Sequence, residues 1–356
     1  MKTLALFGST GSIGKQTLEV LRAFPGEFEV VGLTALTNAE LLAEQAASLH
    51  VQTFLAPTPE QIDALIDRAD YVINAVPGFD GLAISLAAVN AGKILLSANK
   101  ESLAIAGRFL RELAQKTGAE IRPLDSEASA IWQLLTEHEE ISSVTLTCSG
   151  GPFRGLTTAE LASVTIEQAL AHPTWKMGPK VSIDSATLIN KILEVYEVHN
   201  LFDIPLKDIH ITIHPQSLVH SMVHTKTGAT KMHITQNDMR LFISYALHYP
   251  EQPDCPWPIE RHRRSEMDFT PPDSKTFRSL QWFELHKGNP NFPIILNALN
   301  DLAVARFLRG EISFLGIYDF IEKGLERYLW ETPPSSLEEM LRFHGKIQAG
   351  FRTPIM

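Results

Sequence analysis

The sequence predicts an α/β protein: a doubly wound, mostly parallel sheet first, a second α/β domain with an antiparallel component next, and a small helical domain last. Three observations carry this. Short apolar runs alternate with helical stretches through residue 125, the pattern of a parallel sheet with helices on both faces. Two apolar runs near residue 220 flank a glycine-containing turn, as in a hairpin. Beyond a stretch dense in proline, only the 3.6-residue period of helices remains. The expected division is residues 1–125, 126–248, a linker over 249–280, and 281–356.

Taken in order, TLALF (3–7) reads as a buried strand, followed by a glycine turn and a helix over about 13–23. EFEVVGLTAL is a second strand, and NAELLAEQAASL a helix with Asn38 as its N-cap. YVINAV (71–76) is a strand, GLAISLAAVNAG a helix stopped by Gly92, and KILLSA a further strand. RFLRELAQKTG is helical and closed by Gly118, a residue suited to a left-handed C-cap. AEIRPLD (119–125) completes this series. SVTLTCS (143–149) is a strand running into Gly150-Gly151-Pro152; 157–171 is helical, and another helix begins near Ser185. SLVHSMVHT and ATKMHIT make the hairpin, with Gly228 in its turn. Pro250, Pro253, Pro256, Pro258, Pro271 and Pro272 mark the linker, and helical periodicity returns over 294–309, 312–328 and 335–350.

With 356 residues, 44% hydrophobic and 20% charged, the chain has the balance of an ordinary globular protein. A net charge of -10 argues against bulk nucleic-acid binding, which needs a basic face. A few local cations and a helix N-terminus still suffice to hold one small anion. Cys148 and Cys255 are too few for a disulfide framework or a structural zinc site and fit a reducing cytoplasm. The apolar run Leu4–Phe7 is too short for a secretory signal, and no long apolar run predicts a membrane span.

GSTGSIG (8–14) places G-x-x-G-x-x-G between a strand and a helix. Glycines there permit a tight turn and let backbone approach a dinucleotide pyrophosphate at the helix N-terminus. Read alone, the same loop is also a turn that binds nothing. Asp125 and Glu127 stand at the end of a predicted strand, where residues i and i+2 share a side and where open α/β sheets bind ligands. Glu194 follows Asn190 and Lys191 by four and three residues, so the three share a helical face. Oxygen ligands without cysteine suit magnesium or manganese, although three solvated acids would look the same. Ser149 before two glycines, and Ser185, Asn190 and Lys191 on one helix, are groups that hold a phosphate. Ser185 or Asp184 serves equally as a plain N-cap. HPTWKMGPK (172–180) is a loop by its prolines and glycine; Trp175 either closes it over a ligand or packs on its own domain. His210, His214, His220, His224 and His233 crowd one region, but Pro215 interrupts them and no metal-binding spacing accompanies them, so packing and hydrogen bonding are the expected roles.

Together and in this order, these motifs resemble the 1-deoxy-D-xylulose 5-phosphate reductoisomerase family. The matching stretches are GSTGSIG, ANKESL (98–103), PLDSEASAI (123–131), SGGPFR (149–154), HPTWKMGPK, SIDSATLINKILE (182–194), HPQSLVHSMV (214–223) and NDMR (237–240), with NALNDLAVARFL (297–308) extending the likeness. The resemblance implies a Rossmann-like NADPH-binding domain, a central catalytic domain, a C-terminal helical domain and a cytoplasmic homodimer. It implies rearrangement and NADPH-dependent reduction of a small sugar phosphate, with one divalent cation: magnesium or manganese, with cobalt a further candidate. Carried over by position, Asp125, Glu127 and Glu194 would hold the metal, Glu127 and Glu194 also facing the substrate. Lys100 and Ser126 would contact the substrate's oxygenated carbons, and Ser149, Ser185, Asn190 and Lys191 its phosphate. His172, Trp175 and Met177 would belong to a closing loop, His172 touching substrate, and His220 would line the pocket. Thr10, Gly11, Ser12, Ile13, Asn38, Asn99, Glu101, Gly178 and Met239 would contact the cofactor.

The chain departs from the family pattern in places. Ala128 replaces a histidine, Ile192 a glycine, and Leu36-Thr37 a glycine and a basic residue after the second strand. With no acid at that strand end, NADPH remains the expected cofactor, held there by neutral groups. Two other readings stay in view: an aspartate-semialdehyde-type dehydrogenase using Cys148 as nucleophile, and a redox-sensing binding protein that keeps only the nucleotide loop.

Overall fold

The computed structural model describes residues 1–136, 139–259 and 267–352; part of the expected linker, 260–266, lies outside them. Two compact units form. The first holds Met1–Ser102, Leu110–Gln133 and 235–259; the second holds Leu103–Phe109, Leu134–Ile234 and 267–352.

The first unit is built from β1 (Lys2–Phe7), α1 (Ser12–Ala23), β2 (Phe28–Ala35), α2 (Ala39–Leu49), β3 (Gln52–Leu55), α3 (Pro59–Asp67), β4 (Tyr71–Asn74), α4 (Gly81–Asn90), β5 (Ile94–Ser97), α5 (Lys100–Thr117), β6 (Glu120–Pro123) and α6 (Ser126–Leu134). Its six strands run parallel in the order β3-β2-β1-β4-β5-β6. The order reverses between β1 and β4, so the crevice at the carboxyl end of β1 is the place where such sheets take ligands. β1 and β4 read as continuous apolar runs because both faces are covered; Leu4, Leu6, Leu33 and Ile73 lie in the core.

The second unit continues with β7 (Ile141–Cys148), α7 (Thr158–Leu161), α8 (Ile166–Leu170), α9 (Pro179–Ala186), α10 (Ile189–Phe202), β8 (Ile209–Ile213), β9 (Val219–Thr225) and β10 (Thr230–Ile234). The sheet order is β10-β9-β7-β8, with β8 parallel to β7 and the rest antiparallel. Gly228 turns the hairpin at φ 92°. After α11 (Met239–His248), which belongs to the first unit, come α12 (Arg278–His286), α13 (Asn291–Leu308), α14 (Phe314–Tyr328) and α15 (Leu337–Arg352). α10 is buried almost throughout from Ile189 to Val198. It carries the charged side chains of Lys191, Glu194 and Glu197 into the interior with it. No helix among the described residues is long and apolar enough to cross a membrane.

Several expectations need correction. β6 ends at Pro123, and Asp125 and Glu127 flank the start of α6 instead of extending a strand. Proline there ends the ladder, and carboxylates are favoured at a helix N-terminus. The helical stretch 157–171 is two helices, because Thr165 starts a new capping box with Gln168. Ser185 does not open the helix bearing Asn190; it lies near the end of α9, and α10 starts at Ile189. The chain breaks at Leu188, held at φ 59° and ψ 9°.

Candidate active site

In the first unit the loop after β1 is shaped by main-chain contact. Gly8 has φ +85°, and a Cβ there would lie 2.7 Å from the Ala75 carbonyl oxygen. A Cβ on Gly14 would lie 2.5 Å from Ser9 Cα, so α1 rests directly on the loop. The Gly8 and Ser9 amides donate to the Thr34 carbonyl at 3.0 and 2.9 Å. Gln45 of α2 clamps Ser9 from the other side, accepting from Ser9 Oγ at 2.7 Å and donating to the Ser9 carbonyl at 3.0 Å. Gly11 is the N-cap of α1 and offers no side chain to its first turn. The leading amides of a helix have no intrahelical acceptor, so they and the helix dipole face whatever anion arrives. Thr10, Gly11, Ser12 and Ile13 line this turn, with Gly11 and Ser12 exposed. A pyrophosphate fits such a cradle.

Past β2, Leu36 is 65% exposed, and Asn38 Oδ1 caps α2 by accepting from the Leu41 amide at 3.1 Å. The Asn99 side-chain amide donates to the Val76 and Gly78 carbonyls, both at 2.7 Å, and its oxygen caps α5 at the Ser102 amide. That side chain is therefore occupied in bracing the turn after β4. Glu101 is buried in the first turn of α5. Met239 opens α11 and packs against the core, while Arg240 ties that helix to Asp238 and to Glu19 of α1. In the same unit Lys100 Nζ lies 2.6 Å from Asp125 Oδ1, and Ser126 Oγ donates to Glu127 Oε2 at 2.6 Å. Ala128 is fully buried, so the departure leaves no polar group there.

In the second unit, α10 brings Asn190, Lys191 and Glu194 together: the Asn190 amide donates to one Glu194 carboxylate oxygen and the Lys191 ammonium pairs with the other. Glu194 and Lys191 are almost wholly buried, where a charge is tolerated only with a partner. Ile192, in place of glycine, is also fully buried. Ser149 Oγ accepts from the Gly151 amide at 3.0 Å and lies 3.0 Å from His172 Nε2. His172 Nδ1 accepts from the Thr174 and Trp175 amides at 3.3 and 3.0 Å. With Nδ1 accepting, Nε2 is the ring nitrogen left to donate to Ser149 Oγ. A Cβ on Gly151 would lie 2.7 Å from the Ser185 carbonyl oxygen, so the Ser149 loop rests against the end of α9.

The Trp175 ring is partly buried, 6.0 Å from that of buried His220, and Met177 is half-buried beside it in sequence. Gly178 is exposed and caps α9, with Pro179 at the first helical position. Burial pushes His233 down to about 4, so it is neutral where it faces His220 at 6.0 Å. His224 sits between Thr145 and Thr230, and His214 bonds the Asp268 carbonyl and stacks on Phe269. His210 is exposed. Cys148 ends β7 with Sγ 3.7 Å from the Thr212 carbonyl.

Sequence profiles of 1-deoxy-D-xylulose 5-phosphate reductoisomerase match residues 4–69 and 59–107, and those of its C-terminal domains match 121–202 and 234–349. The chain is 41% identical to the 1-deoxy-D-xylulose 5-phosphate reductoisomerase of Thermomicrobium roseum over 95% of its length and 94% of that protein's. The enzyme of the same name from Beutenbergia cavernae is 43% identical, covering 92% of this chain and 90% of its own. The solved structure of the Zymomonas mobilis reductoisomerase with NADPH superposes with a TM-score of 0.87 at 34% identity, over 98% of this chain and 97% of that one. A second reductoisomerase structure, with NADPH, fosmidomycin and magnesium, gives 0.89 at 30% identity over the same shares.

Proposed function

The chain belongs to the 1-deoxy-D-xylulose 5-phosphate reductoisomerase family, and from that premise we infer how its own residues carry the reaction. It is an NADPH-dependent oxidoreductase that converts 1-deoxy-D-xylulose 5-phosphate to 2-C-methyl-D-erythritol 4-phosphate with a divalent cation, in isoprenoid precursor synthesis. We propose that Asp125, Glu127 and Glu194 hold that cation: all three offer carboxylate oxygens, and oxygen donors suit magnesium or manganese. When bound, the cation supplies Lewis acidity and a template, and NADPH supplies the hydride.

The protein's own part is binding and orientation. The cradle of Thr10 to Ile13 takes the cofactor's pyrophosphate, Asn38 and the start of α2 its ribose phosphate, and Glu101, Gly178 and Met239 further contacts. Asn99 serves by holding the turn after β4. Lys100 and Ser126 orient the substrate's oxygenated carbons. Ser149, held by His172 and the Gly151 amide, joins Ser185, Asn190 and Lys191 on the phosphate. The loop bearing His172, Trp175 and Met177 closes over the substrate beside His220 and keeps water from the reactive species. The observation that carries this reading is a pairing: each lysine assigned to substrate, Lys100 and Lys191, sits on a carboxylate assigned to the cation, Asp125 and Glu194. Cation and substrate would therefore be bound through one shared set of charges. The working form is a cytoplasmic homodimer, by analogy with the family.

The test is NADPH oxidation by the purified protein with 1-deoxy-D-xylulose 5-phosphate. Turnover should vanish in excess chelator and return with magnesium or manganese. Full activity in chelator would sink the cation assignment, and no NADPH consumption with any cation would sink the function.

A further inference from the structure

We propose that the helices α12, α13 and α14 position the phosphate-binding groups by holding the break between α9 and α10; this rests on the assignment of Ser185, Asn190 and Lys191 to the substrate's phosphate. Ser185 stands just before the break and Asn190 and Lys191 just after it, so the path of the chain through Thr187 and Leu188 decides where the three converge. Leu188 adopts a left-handed conformation there, φ 59°, that an L side chain resists, so the surroundings must impose it.

The imposing contacts are visible. The Thr187 carbonyl accepts from Ser279 Oγ of α12 at 2.6 Å and from Tyr318 Oη of α14 at 3.2 Å. One turn earlier, Asp184 accepts from Asn300 Nδ2 of α13 at 2.7 Å and from Lys180 Nζ at 2.6 Å, and Lys180 also lies 3.3 Å from Asp301 of α13. Asp184, Thr187, Ser279, Asn300 and Tyr318 are all buried. Buried bonds of this kind have no water to exchange with, so they fix geometry. Across the break, Gly151 abuts the Ser185 carbonyl, so a shift of α9 reaches the Ser149 loop directly. Ser279, Asn300 and Tyr318 thus act through the break, as positioning residues that need not touch the substrate.

The test compares Ser279→Ala, Tyr318→Phe and their combination with Lys191→Ala. The readouts are kcat and KM for 1-deoxy-D-xylulose 5-phosphate, Kd for fosmidomycin and Kd for NADPH. Lys191→Ala tests the phosphate assignment itself: an unchanged KM removes that assignment and the proposal with it. A raised KM there leaves the positioning variants to decide. Each single variant is expected to raise KM and the fosmidomycin Kd about fivefold, the effect of one lost buried hydrogen bond, with kcat within about twofold and NADPH affinity unchanged. Tyr318→Phe removes one hydroxyl from a filled core position and keeps the question answerable if Ser279→Ala folds poorly. Unchanged KM and fosmidomycin Kd in the combined variant overturn the proposal. So does a parallel loss of NADPH affinity, which would mark general loosening.

Discussion

The glycine loop after β1 and the helix break after α9 both offer groups to an anion, yet they are made differently. The loop works through backbone amides, and its demands are negative: no Cβ at Gly8 or Gly14, no side-chain cap at Gly11. The break, as proposed, works through side chains, Lys191 buried and Ser185 half-buried, whose positions follow from hydrogen bonds to α12 and α14. A site made of main chain is sensitive to added atoms, whereas one made of side chains is sensitive to lost ones. The first leaves a mark in the sequence and the second largely does not.

That contrast can be broken by substitution. The largest effect is expected where a charge is removed from the break's own helix: Glu194→Gln should lower kcat by about a hundredfold or more, as loss of a central electrostatic group does. It also leaves Lys191 buried without its carboxylate. Steady-state kinetics at saturating magnesium measure it, and a loss under about tenfold would place Glu194 outside the catalytic charges. Next comes an atom added to the loop. Gly14→Ala puts a methyl against the Ser9 backbone, which cannot rotate away. Overpacking strain of about 1–3 kcal/mol, felt at the cradle, should weaken NADPH binding by about tenfold. Fluorescence titration reads this, and an unchanged Kd would mean the cradle is softer than its packing indicates. The smallest effect sharpens the comparison inside the cofactor site. No charged residue stands between Ala35 and Ala39, so the ribose phosphate meets hydroxyl, amide and backbone groups there. Thr37→Arg should raise the preference for NADPH over NADH by about three- to tenfold, a charge-assisted bond being roughly twice as strong as a neutral one. The ratio of kcat/KM values decides it, and no gain would show that this turn does not meet the phosphate.

How far the sequence reaches follows the same division. The alternation of strand and helix, with a glycine loop directly after the first strand, implied the parallel sheet that is found. β3 escaped because it is an edge strand of four residues with no buried position, so it lacks an apolar signature. α3 did carry a readable one, the Thr58–Gln61 capping box with proline behind the cap. α5 begins at Lys100 and not at Arg108, and its N-cap Asn99 was legible in Asn-Lys-Glu-Ser. At the site, the helical spacing of Asn190, Lys191 and Glu194 correctly placed them side by side. The break at Leu188 was not legible, because leucine gives no hint of a left-handed backbone; what holds it lies in α12 and α14. The pairing of Lys100 with Asp125 was equally hidden, since the two are joined through the fold and by no motif.

The separation along the chain also bears on how the protein is made. Ser9 and Gln45, which lock the glycine loop, are 36 residues apart. The Thr187 carbonyl waits for donors 92 and 131 residues downstream. Short loops close early and long ones late, and domains of a growing chain settle as they leave the ribosome. The first unit's core is therefore available once α11 has been made, whereas the Thr187 carbonyl gains its last donor only after Tyr318 has emerged. A nascent chain stalled between Trp257 and Ser279 would have the partners of the glycine loop and of its core, but not the donors that hold the Thr187 carbonyl.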